Sequence, residues 1–105
     1  MRESIEQYAR GLEGLSLDEL SRSAEKLASR ERRHTAALIA HLAEISRRKG
    51  HLELGFKSLF AYCREILHLS EGAAWRRMQV ASVSRRFPRV LTRLAEGKVS
   101  LSSLL

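Results

Sequence analysis

The sequence predicts an all-α protein, with one long N-terminal helix followed by a compact helix-turn-helix-like bundle. Three observations predict it. Leu (17) and Ala (12) far outnumber Val plus Ile (8), a mix that favours helix over sheet. No Gly or Pro interrupts residues 15–49, and apolar residues recur there three and four apart. Further along, Ser, Gly and Pro fall where helices start and stop.

The elements follow in order. Residues 1–16 are expected to be weakly ordered or a short helix. Ile5, Tyr8 and Leu12 are helically spaced, but Gly11 and Gly14 weaken the segment. Residues 17–105 form one domain. Ser16 and Glu19 read as a capping box that opens a helix at Leu17. Its apolar stripe is Leu17, Leu20, Ala24 and Leu27, then Leu38, Leu42 and Ile45. The charged cluster Arg30-Glu31-Arg32-Arg33 marks either a junction of two helices or a bend, and continuity is the favoured reading. Arg47, Arg48 and Lys49 suit a helix C-terminus, with Gly50 as its left-handed cap.

His51–Gly55 reads as a connector. Ser58 caps a short helix to about Leu67, His68-Leu69-Ser70 makes a tight turn, and Ser70 caps a helix from Glu71 to Arg85. Ala74, Met78 and Ala81 are its expected inner stripe. Pro88 opens a further helix that Gly97 closes. Ser100 caps a last stretch, LSSLL, which is abruptly apolar and reads as cut from a longer element.

The charge is polarised. Residues 1–55 hold ten Lys/Arg and nine Asp/Glu, whereas residues 56–105 hold nine and three. Fifteen of the nineteen cations are Arg, whose planar fork suits phosphate. A basic, Arg-rich half points to a polyanion, most often nucleic acid. The alternative is a solvated basic surface. No run approaches the ~18 apolar residues that span a bilayer, and an interfacial membrane helix is the weakest reading, because the apolar faces are narrow. The N-terminus has no signal-peptide core, and a single cysteine, Cys63, makes no internal disulfide. The expected location is cytoplasmic.

Residues 59–85 have the outline of a helix-turn-helix, in which the first helix props the second in the major groove. Arg reads guanine and Gln reads adenine through paired hydrogen bonds. The expected DNA-binding residues are Ala73, Arg76, Arg77, Gln79, Arg85, Arg86 and Arg89. Arg76 lies about 200° around the helix from Ala74, which predicts an outermost position and base readout. Arg77 is assigned to the phosphate backbone or to intramolecular pairing, and Arg85, Arg86 and Arg89 to the backbone.

Three departures from the usual motif stand out. Arg64 occupies the fifth position of the first helix, which is normally small. His68 starts the turn in place of Gly. Arg77 stands where an apolar residue is common. An ordinary helical hairpin with a basic exterior is the competing reading.

Other residues point to packing. Cys63 reads as a small core filler, and Trp75, Phe60 and Tyr62 as residues packed between helices, with stacking on bases the alternative for these rings. His34 and His41 lie seven apart, unlike a helical zinc pair at four. No Gly-rich phosphate loop, nucleophile elbow or convergent carboxylate pair occurs. Neither a metal, a cofactor nor a small-molecule substrate is expected.

The runs ERxxTAxLIAHLAE (Glu31 to Glu44), LELGFxSLFAYC (Leu52 to Cys63), LSEGAAWRR (Leu69 to Arg77) and RRFP (Arg85 to Pro88) together carry a resemblance. Residues 17–105 resemble the N-terminal region of bacterial HNH-endonuclease-like proteins of the myxobacterial type, which is similar to the DUF222 region of actinobacterial HNH proteins. In such proteins the nuclease module, with its His-Asn-His metal site, lies well downstream. None of its residues is among these motifs, so the resemblance implies no catalytic residue here.

The resulting expectation is a non-catalytic, double-stranded-DNA-binding domain, expected to act as a homodimer. Leu38, Leu42, Ile45, Leu104 and Leu105 are its candidate subunit contact. A helical protein-interaction or oligomerisation module is the alternative.

Overall fold

Helix-start residues along the chain do what their chemistry dictates, and a computed structural model describes the result for residues 3–104. The order is α1 (Ile5–Gly11), α2 (Leu17–Arg47), α3 (Gly50–Glu53), α4 (Leu59–Glu65), α5 (Glu71–Arg86) and α6 (Arg89–Ala95), with short 3-10 turns at Leu12–Gly14 and Ser102–Leu104. Among the described residues every regular element is helical.

α1 carries a reciprocal capping box that the sequence reading did not identify. The Ser4 hydroxyl accepts from the Gln7 N–H, and the Gln7 side chain accepts from the Ser4 N–H. At α2 the box is only half formed. Ser16 Oγ accepts from the Glu19 N–H at 3.1 Å, but the Glu19 carboxylate meets the Ser16 hydroxyl at 3.2 Å instead of the backbone. α2 then runs uninterrupted through Arg30–Arg33 for 31 residues. At about 1.5 Å per residue it is some 46 Å long. It sets the longest dimension of the molecule, 49 Å.

α2 is not covered along its whole length. Ala36, Ile39 and Leu42 are buried and flanked by half-buried Leu38, Ala43 and Ile45. α5 and α6 pack on this half, and Leu59, Cys63, Ala74, Val80, Ala81, Val90 and Leu94 complete the core. Upstream, Leu17 is 82 % exposed and Leu27 48 %. The radius of gyration, 16.8 Å, reflects this protrusion. A compact chain of this length has about 13 Å.

The end of α2 corrects one expectation. Lys49, not Gly50, takes the left-handed conformation (φ 52°), and Gly50 already begins α3. His51–Gly55, expected to be a plain connector, therefore holds most of a one-turn helix. Gly55 (φ 91°) ends that turn and Gly97 (φ 76°) follows α6, two places where an L side chain is strained. Beyond Gly97, the Ser100 and Ser103 hydroxyls accept from each other's backbone N–H groups, and Leu101 and Leu104 pack against the core.

This packing removes Leu42 from the expected subunit surface. Leu42 is fully buried beneath the molecule's own helices, and Leu38, Ile45 and Leu104 lie against the same core. Leu105 lies outside the described residues.

Candidate nucleic-acid interface

The α4–turn–α5 unit is built from two serine caps and a fastened turn. Ser58 Oγ accepts from the Ala61 N–H at 3.0 Å, and Ser70 Oγ accepts from the Ala73 N–H at 3.2 Å. Counted from the observed start of α4, the fifth residue is Cys63, which is small and fully buried. Arg64, four residues before the left-handed His68 of the turn, still departs from the small residue usual at that position, and Cys63 beside it fills the core. Burial pushes the Cys63 thiol pKa up, so the side chain behaves as a neutral core filler.

Arg64 is exposed, and its guanidinium donates to the Leu69 carbonyl at 2.8 Å, tying α4 to the far end of the turn. The Leu69 N–H donates to the Cys63 carbonyl at 3.1 Å. His68 takes the left-handed conformation itself (φ 55°), the role glycine fills more cheaply. Phe56 and Tyr62 meet edge-to-face at 5.6 Å and brace the entry to α4.

The orientation of α5 differs from the expected one. The buried residues are Ala74, Val80, Ala81 and Ser84, and Met78 is only half-buried. The buried face is thus centred near Arg77, Ala81 and Ser84, not on the Ala74–Met78–Ala81 stripe. The opposite, exposed face is Gly72, Trp75, Gln79, Ser82 and Arg86, spaced three and four apart.

Trp75 is 53 % exposed on this outer face, contrary to its expected interhelical packing. Arg76, expected outermost, lies half-buried at one flank, and its guanidinium folds over Gly72. A Cβ built there would stand 3.0 Å from its nitrogen. Ala73 and Arg77 turn toward the interior. Arg77 donates to the Ala73 carbonyl at 3.2 Å, while its buried Nε has no partner among the described residues. Burial, and then the neighbouring Arg76 cation, lower the Arg77 pKa.

Of the seven expected contact residues, the structure therefore brings Gln79 and Arg86 onto one open face. It places Arg76 and Arg85 at the flanks, leaves Arg89 exposed at the start of α6, and withdraws Ala73 and Arg77. Trp75 is the outer-face residue that the sequence ranked as interhelical packing ahead of base stacking. Its spacing from Gln79 and Ser82 was the available signal.

The charge of this region is uncompensated. Among the described residues, Arg76, Arg85, Arg86 and Arg89 make no ion pair. The end of α2 provides the contrast. There Glu44 binds Arg47 and Arg48, each at 2.7 Å, and these bonds hold its pKa down to about 2.

Among the described residues, no helix is long and apolar enough to cross a membrane. No curated protein and no solved structure shows significant similarity to the chain. A family model does match residues 20–104, from within the exposed half of α2 to the end of the last turn. The chain belongs to the DUF222 family, described as a domain of unknown function.

Proposed function

We propose that the domain binds duplex DNA without catalysis, laying the outer face of α5 in the major groove while α4 braces it. The observation that carries this reading is the pairing of an open outer face on α5 with unpaired arginines beside it. A helix in the major groove needs an outer face free of its own protein and cations placed to reach the flanking phosphates. Gln79, with its paired donor and acceptor, is the base reader on that face. Arg76, Arg85, Arg86 and Arg89 hold the backbone, where Arg forks fit phosphate oxygens. Arg77 has no direct part in contact. In longer HNH-type relatives, such a domain would deliver a nuclease to its substrate.

Trp75 is the chain's single tryptophan and stands on the proposed contact face. Titration with duplex DNA at low salt is expected to change its emission in step with the anisotropy of a labelled duplex. Gln79→Ala is expected to cost about 1–3 kcal/mol on a preferred site and to flatten sequence preference. Arg77→Met is expected to leave affinity unchanged. A duplex whose anisotropy does not rise at low salt would refute the proposal.

A further inference from the structure

The outer face of α5 holds a single apolar side chain. Gly72 has no side chain, Gln79, Ser82 and Arg86 are polar, and Trp75 stands between Gly72 and Gln79 at spacings of three and four residues. Trp75 is 53 % exposed and belongs neither to the core nor to the half-buried shell around it. A ring left this open forgoes much of what its burial would contribute. Gly72 carries nothing that could cover it from that side, and the group lying closest over the glycine is the Arg76 guanidinium. Glu71, the one acid of α5, opens the helix four residues before Trp75. Like charges repel, so that carboxylate disfavours phosphate on its side of the ring.

The chemistry of a duplex identifies what such a ring can touch. The flat faces of paired bases are stacked on one another, so a side chain carried into the major groove meets base edges. Those edges present hydrogen-bond donors and acceptors, and one apolar group, the C5-methyl of thymine. Gln79, four residues beyond Trp75, carries the paired donor and acceptor that fit adenine. The two side chains are about 6 Å apart along the helix axis. Successive base pairs are about 3.4 Å apart. The ring therefore reaches the pair that Gln79 reads, or a pair no more than two steps away.

The geometry points to Trp75 as a specificity-determining residue, whose indole packs on the C5-methyl of a thymine within two base pairs of the adenine read by Gln79. This rests on the DNA-binding reading of the same face and narrows its substrate to sites that hold both bases. Arg76, at the flank, takes the neighbouring phosphate. A cytosine at the thymine position leaves the ring facing water and an amino group, and uracil leaves it facing water alone.

The test uses the full chain and a duplex that it selects from a randomised pool at low salt. The duplex is remade with deoxyuridine at each thymine in turn, which removes one methyl group and keeps every hydrogen bond. One of these replacements is expected to weaken binding about fourfold, the effect of withdrawing one methyl group from apolar contact. Trp75→Ala is expected to bind the thymine and uracil forms of that duplex equally. Its salt dependence should match the parent's, because no cation is removed, and its helix content should be preserved, because the side chain lies outside the core. Trp75→Phe, which keeps an apolar ring, should retain a preference for thymine. Uracil replacements that are neutral at every thymine overturn the assignment, as does a Trp75→Ala chain that still discriminates fourfold. Tighter binding when cytosine is replaced by 5-methylcytosine, with no response to uracil, would assign the ring to a different base and overturn it too. A chain that binds duplexes with a steep salt dependence yet ignores the methyl group sinks this assignment alone. A chain that binds no duplex sinks the DNA-binding reading, and the assignment with it.

Discussion

The two halves of α2 share one helix and have opposite surroundings. From Ala36 to Ile45 the helix is the spine of the core, with Ile39 and Leu42 fully buried under α5 and α6. From Leu17 to Leu27 the same periodicity faces outward. Apolar spacing states which residues share a face. It does not state whether that face finds a partner within the chain. The first half therefore stands on local terms: the Ser16 cap, the Asp18–Arg22 pair and the continuity of a helix already nucleated downstream.

The largest expected effect is on stability. Leu42→Ala or Ile39→Ala is expected to cost about 2–5 kcal/mol, since each leaves a cavity in a sealed core. Leu17→Ala or Leu27→Ala, measured by urea unfolding at low micromolar concentration, is expected to change stability by no more than about 0.5 kcal/mol. Equal losses in the two halves would erase the distinction between them.

Gly97→Ala tests the point where the halves meet. Gly97 sits at φ 76°, and an added Cβ would stand 2.8 Å from Arg32 Nε. The left-handed conformation alone is expected to cost about 1–2 kcal/mol, read from the shift in the unfolding midpoint. No loss would mean that the segment after α6 does not depend on this close approach to α2.

The smallest expected effect lies at the end of the packed half. The folded pKa of Glu44, about 2, lies below its ordinary value of 4.5, owing to the hydrogen bonds from Arg47 and Arg48. Its contribution is therefore complete above pH about 4.5 and is lost as pH falls toward 2. Helicity near Arg47, followed by amide chemical shifts, is expected to decline across that window. In Glu44→Gln this local change should be absent.

The fold was largely legible, because capping serines and an uninterrupted Gly- and Pro-free stretch are local signals. Ser16, Ser58 and Ser70 open helices as their chemistry predicts, and Gly97 closes one. The rotation of α5 was not legible. Its inner face is made of Ala74, Ala81, Ser84 and a single Val80, with the stem of Arg77 among them, and such small residues leave almost no apolar stripe. Met78 and Trp75 dominate the hydrophobicity of that helix, yet Met78 sits at the margin of the buried face and Trp75 outside it. Two expectations therefore moved together: Arg76 from the outermost position to the flank, and Trp75 from the interior to the outer face. The unpaired state of the basic residues was partly legible, since the second half of the chain holds only three acids.

The most direct test of the central claim, that the open face of α5 and its unpaired arginines form a DNA-binding surface, is the salt dependence of duplex affinity. Phosphate contacts by Arg76, Arg85, Arg86 and Arg89 are expected to give a log–log slope of about −3.6, roughly −0.9 for each contact. Replacing Arg85, Arg86 and Arg89 together by Ala should bring the slope to about −1, with helix content preserved. A slope near zero in the parent chain, or one that the triple substitution leaves unchanged, would contradict the account.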